Sequence, residues 1–127
     1  MVVTDLAWIA AGGALGALAR YGVTVWAVAR FGSGFPMGTL TVNVTGSFLL
    51  GLAATLLAAK ARVPVATRPF FTVGFLGAYT TFSTFAFDTV ALWGRSAPIG
   101  VVNALLNNAF SLAAALFGVA VARLITR

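Results

Sequence analysis

The chain has 127 residues, 61% hydrophobic and 8% charged, and its mean hydropathy of +1.02 lies far outside the range of soluble domains. Its formal charge of +6 comes from eight Lys and Arg residues scattered singly against two acids, so no basic stripe exists to track a nucleic-acid backbone. Without cysteine, histidine or glutamate it lacks disulfides, thiol chemistry, the usual transition-metal ligands and paired carboxylates, so an enzyme is not expected.

A membrane span needs about 20 mostly apolar residues, so four spans with short connections use most of the chain. The expectation is a single all-α transmembrane domain over 1–127. The first predicted span covers 6–29. In it Gly12, Gly13 and Gly16 form a small-residue face at the spacing that admits a second helix closely. Arg20 lies too deep in this run to be a loop residue. It either faces water, a partner or an anion, or snorkels to a nearby interface. Ala17-Leu18-Ala19 mimics a signal-peptide cleavage site, but no Lys or Arg precedes the apolar run and Asp5 stands where positive charge belongs. The segment is therefore expected to stay as a helix.

Glycines, a serine and a proline predict a turn at 30–37. The second span, 38–59, opens on a run from Thr39 to Ser47 that alternates polar and apolar residues as a strand would. A lone strand in lipid leaves its backbone unpaired, so a helix is expected instead. On it Thr39, Asn43, Gly46, Ser47 and Leu50 share one face, with Asn43 as either glue between helices or a pore-lining donor. Residues 60–69, carrying Lys60, Arg62, Arg68 and two prolines, read as a loop.

The third span, 70–93, contains the least helix-like stretch of the chain, GFLGAYTTFSTF at 74–85. Gly74 and Gly77 weaken a helix, the hydroxyls of Thr80, Thr81, Ser83 and Thr84 compete for backbone hydrogen bonds, and Phe82 and Phe85 stand one turn apart. A helix break followed by a phenylalanine-bearing helix is expected, and a bound cation is one way to satisfy carbonyls freed there. Trp93 reads as an interfacial belt residue. After a turn at 94–98, the fourth span, 99–125, carries Asn103, Asn107 and Ser111 as a polar stripe, with Asn108 off it.

These donors are all neutral, which suits an anion that must be partly dehydrated and still released. The electropositive edges of Phe82 and Phe85 can face such an ion, or the rings can simply pack the bundle. Four spans place both termini beside the 60–69 loop, with five Lys and Arg residues on that side against Arg30 and Arg95 on the other. That bias favours cytoplasmic termini.

The stretches GTLTVNVTGSF at 38–48 and GFLGAYTTFSTF at 74–85 resemble the two signature motifs of the Fluc (CrcB) family of fluoride channels, and the length and four-span layout match throughout. The resemblance implies a small dual-topology protein of the bacterial inner membrane, assembled as an antiparallel homodimer that exports fluoride passively through two pores. It implies a fluoride path through Asn43, Phe82 and Phe85, with Thr39, Ser83, Thr84 and the Asn103, Asn107, Ser111 track alongside. It places Arg20 in an aqueous vestibule, and the backbone carbonyls of Gly77 and Thr80 from both subunits around a structural sodium ion, with no organic cofactor. Ala78, Tyr79 and Asp88 depart from the family pattern, which often has glycine, a small or apolar residue, and glutamate there. The charge bias also sits against insertion in both orientations. The alternative of a small multidrug-type proton-coupled exporter requires a glutamate in the first helix, where this chain has Arg20. A non-transporting structural subunit is supported only by the small-residue faces.

Overall fold

A computed structural model describes residues 3–60 and 63–127; Arg62, counted above among the loop charges, lies outside them. All regular structure among the described residues is helical. Helix α1 covers Val3–Phe31 and α2 covers Met37–Ala59. The third span, Arg68–Arg95, is composite. Its first part, α3, is a π-helix over Arg68–Leu76 that ends in one α-helical turn, Gly77–Tyr79. Its second part is α4, Phe82–Arg95, and α5 then covers Ala97–Ile125. Four segments are thus long and apolar enough to cross a membrane.

The alternating run from Thr39 to Ser47 is helical, as expected from backbone satisfaction in lipid. Two other local expectations are corrected. Arg68 and Pro69, expected in the loop, already belong to α3, where proline in a first turn loses no hydrogen bond. The last turn is also far shorter than 94–98, because Ser96 alone leaves helical geometry (φ −163°, ψ 116°) and Pro98 falls in the first turn of α5. The α1–α2 turn passes through Gly32 at φ 77°, a left-handed conformation that glycine adopts without a Cβ penalty.

Packing assigns the two halves of the broken span to different neighbours. Helix α3 lies along α1, α4 lies along α5, and α2 runs the length of α5. Among the described residues the α4 backbone does not pack closely on α1, and α2 is the one helix that packs on both halves. The close crossings rest on glycine. A Cβ on Gly12 or Gly16 would strike the backbone of Phe70 or Phe75, so the small face of α1 receives α3. Gly74 serves the same crossing from the other side, where an added Cβ would lie 2.6 Å from the Ile9 carbonyl.

Aromatic contacts continue this seam. Trp8 meets Phe70 edge to face at 6.4 Å between ring centroids, and Phe75 stacks on Tyr79 at 6.0 Å. The Tyr79 hydroxyl lies 2.9 Å from Thr45 Oγ1. Thr45 gives its own proton to the Thr41 carbonyl at 2.6 Å, so Tyr79 is the donor. Tyr79→Phe is expected to cost about 1 kcal/mol of stability through loss of this bond, read as a lowered unfolding midpoint in detergent.

Candidate functional site

The break falls at Thr80 (φ −83°, ψ 157°) and Thr81 (φ −151°, ψ 115°), both extended. Gly74 and Gly77, expected to weaken the helix there, are themselves helical. Threonine chemistry sets the position. The Thr80 backbone N–H and Oγ1 both donate to the Leu76 carbonyl, at 3.1 and 3.0 Å, and close α3. Thr81 then opens α4 as its N-cap, with Oγ1 accepting from the Thr84 N–H at 3.3 Å and donating to Thr84 Oγ1 at 3.0 Å.

Asn43 satisfies what the break exposes. Its Oδ1 accepts from the Thr81 N–H at 2.8 Å, and its Nδ2 donates to the Thr81 carbonyl at 3.1 Å. A side-chain amide on α2 therefore replaces the helical partners that Thr81 has lost, and each such group left unpaired at membrane depth would cost several kcal/mol. The same Nδ2 donates to Asn107 Oδ1 at 3.1 Å. Asn107 Nδ2 donates in turn to Asn103 Oδ1 at 3.0 Å and to the Asn103 carbonyl at 3.2 Å. The stripe expected on α5 is thus a buried ladder, with Asn103 0% and Asn107 3% exposed. Asn43 is the glue that one sequence reading anticipated, and it also lines a cleft.

Two clefts flank the break and share Thr81. The first, about 240 Å³, is bounded by Asn43, Ser47, Thr80, Phe82, Phe85, Asn107, Asn108 and Ser111. At about 30 Å³ per water this admits an ion with part of its hydration shell. Phe82 is 75% exposed and Phe85 8%, with their rings edge to face at 5.4 Å. Ser111 Oγ is buried without a hydrogen-bond partner among the described residues.

The second cleft, about 230 Å³, is bounded by Arg20, Tyr21, Thr24, Thr39 and Thr84. Thr39 and Thr84 also line a further cleft beneath the α1–α2 turn that reaches Asp88. There Asp88 Oδ2 accepts from Thr39 Oγ1 at 2.8 Å. Among the expected site residues, Ser83, Asn103 and Gly77 line none of these three clefts. Gly77 instead lies exposed, where an added Cβ would meet only the Thr72 carbonyl at 3.8 Å, an ordinary contact distance. Among the described residues no hydrogen bond reaches the carbonyls of Gly77 or Thr80, as the C-terminal end of a helix dictates.

Two residues of the hydrogen-bonded network around the break escaped the sequence-based site list. Thr81 carried a readable signal, a threonine three residues before Thr84 at the start of an apolar helix, which is the spacing of an N-cap. Thr89, which receives a bond from Asn103 Nδ2 at 2.9 Å, carried none.

Four segments able to cross a membrane, one of them interrupted with its freed backbone groups held by a neighbouring side chain and hydroxyl-lined clefts on either side, define a multi-pass membrane protein. The profile described as CrcB-like protein, Camphor Resistance (CrcB), matches residues 7–119, and the chain belongs to this family. It is 44% identical over 122 residues to the fluoride-specific ion channel FluC of Magnetococcus marinus, covering 95% of this chain and 99% of that one. The FluC of Vibrio parahaemolyticus is 50% identical over 117 residues, 89% of this chain and 90% of that one. That of Acidobacterium capsulatum is 57% identical over 83 residues, 65% and 66% of the two chains. Family membership agrees with the resemblance carried by the motifs at 38–48 and 74–85.

Proposed function

We propose that the chain is a passive, fluoride-selective channel of the bacterial inner membrane, working as an antiparallel homodimer with two pores. The observation that carries this reading is the first cleft, where the Phe82 and Phe85 rings and the partnerless Ser111 Oγ bound a space without any acidic side chain, in a chain whose relatives are named fluoride-specific channels. Fluoride is small and strongly hydrated, so entering a narrow path requires donors that replace water and then release the ion. Ser111 offers an uncommitted hydroxyl, and Ser83 and Thr84 supply others near the break, while Thr39 must first release the proton it gives to Asp88. The positive ring edges of Phe82 and Phe85 add attraction while excluding water. Arg20, lining the second cleft, raises the local anion concentration at its mouth through its charge.

The surface around the break supports a second copy as partner. Phe82 and Phe87 are 75% and 74% exposed, beside the exposed hydroxyl residues Ser83 and Thr84. Lipid tails can cover the rings but not the hydroxyls, whereas a second chain covers both. The carbonyls of Gly77 and Thr80 fit a sodium ion, being hard oxygen donors without hydrogen bonds beside the open face of Gly77. Such an ion, held by these carbonyls from both copies, would supply fixed positive charge that ties the two breaks together. Asn43 and Asn107 have both amide protons committed to protein partners. They shape the wall of the path, and any ion they bind must compete for those protons.

Purified protein in liposomes loaded with sodium fluoride or sodium chloride tests the reading directly. Fluoride is expected to leave and chloride to stay, recorded with ion-selective electrodes. Equal release of the two, or none of either, sinks the proposal.

A further inference from the structure

Asn103 is fully buried and borders neither of the clefts at the break, yet it is tied to them by bonds. From Asn43, Nδ2 donates to Asn107 Oδ1 at 3.1 Å, and Asn107 Nδ2 donates to Asn103 Oδ1 at 3.0 Å. Asn103 Nδ2 then donates to Thr89 Oγ1 at 2.9 Å, and Thr89 Oγ1 donates to the Phe85 carbonyl at 2.8 Å. We propose that Asn103 and Thr89 are positioning residues that hold α4, and with it the Phe85 ring, in register with the break; this rests on the channel reading above.

The orientation of every link is dictated from the ends. The Thr81 N–H can only donate, so Asn43 turns Oδ1 toward it and Nδ2 toward Asn107. Asn107 and Asn103 must each receive on oxygen and give on nitrogen, and the last proton lands on a carbonyl, which can only accept. The path therefore starts on the backbone of Thr81, crosses α2 and α5, and returns to the backbone of α4 at Phe85. A chain of donors with one sense polarises its members and strengthens each bond. Apolar packing between α4 and α5 alone tolerates sliding, whereas a buried polar pair has one register, as a lone buried asparagine has in a coiled coil. The second observation behind the proposal is the poor support of α4 elsewhere. Among the described residues its backbone does not pack closely on α1 and meets α2 only lightly, chiefly at the Thr39–Asp88 bond, so α5 and the relay do most to place Phe85, a wall of the first cleft.

The test is fluoride efflux from liposomes for Thr89→Val, Thr89→Ser, Asn103→Leu and the double variant Thr89→Val/Asn103→Leu, with backbone amide exchange of residues 81–85 followed in parallel. Thr89→Val is expected to slow efflux about tenfold, the effect of one buried donor left unpaired, while Thr89→Ser retains most of the rate. The double variant is expected to be no slower than the slower single one, because a relay is cut only once. Exchange at 81–85 should accelerate in Thr89→Val and not in Thr89→Ser. Wild-type efflux from folded Thr89→Val, or additive losses in the double variant, overturns the proposal while leaving the channel reading intact. Should Asn103→Leu fail to fold, the Thr89→Val and Thr89→Ser pair decides alone. A wild-type protein that passes no fluoride defeats the channel reading, and unchanged exchange in Thr89→Val then defeats the relay separately.

Discussion

Asn43→Asp is expected to abolish fluoride efflux. The side chain keeps its size, but a carboxylate has no protons to give. Thr81 would retain a partner for its N–H and lose the donor to its carbonyl, and Asn107 Oδ1 would face a second acceptor at about the present 3.1 Å. The added charge acts on the ion as well. At a separation of 4 Å and an effective dielectric constant of 20, two like charges repel by about 4 kcal/mol, roughly a thousandfold in rate. Asn43→Ala separates the two effects, because it removes the clamp without adding charge. It should lower the yield of folded protein more than Asn43→Asp does, since both backbone groups of Thr81 then lose their partner. Efflux in liposomes and the monodisperse fraction on size exclusion report the two quantities. Wild-type flux through folded Asn43→Asp would remove this residue from the path.

The membrane fold was readable because its determinants are local. Hydropathy located the spans, and the glycines at 12 and 16 announced a close crossing whose partner is α3. A break in the third span was also readable, and the hydroxyls of Thr80 and Thr81 marked it where the glycines did not. Gly74 and Gly77 carry the weakest helix propensity in that stretch, yet membrane helices tolerate glycine where it permits packing, and Gly74 is used that way. What holds the break at Thr80 and Thr81, once their capping bonds have placed it, is an amide 38 residues earlier in the chain, on a different helix. No window of sequence contains both partners. The π-helical winding of 68–76 left no mark that the sequence reading caught. At the site, the residue types were legible and their states were not. Asn103, Asn107 and Ser111 share a face, but which of them bonds inward and which is left with an unspent hydroxyl depends on how α5 meets α2. The role of Thr89 similarly required knowing that Asn103 lies opposite it.

The crossing of α2 and α5 carries the second large effect, because the relay and the first cleft both depend on its spacing. At Gly118 an added Cβ would strike the Phe48 carbonyl and lie 2.9 Å from the Leu52 backbone nitrogen. Neither atom belongs to a movable side chain, so Gly118→Ala can be accommodated only by pushing the helices apart. Overpacking of this kind costs about 1–3 kcal/mol. Gly22 on α1 has nothing within 4 Å of a built Cβ and serves as the matched control. There alanine removes a flexible residue from a helix and should be neutral or stabilising by up to about 1 kcal/mol. The unfolding midpoint should therefore fall for Gly118→Ala and hold or rise for Gly22→Ala. Efflux should follow the same order, because separating α2 from α5 stretches the 3.1 Å bond between Asn43 and Asn107 on which the break is hung. A Gly118→Ala protein with wild-type stability and flux would show that the helices can yield at this crossing without disturbing the break, and that the clamp draws its position from α4 rather than from α5.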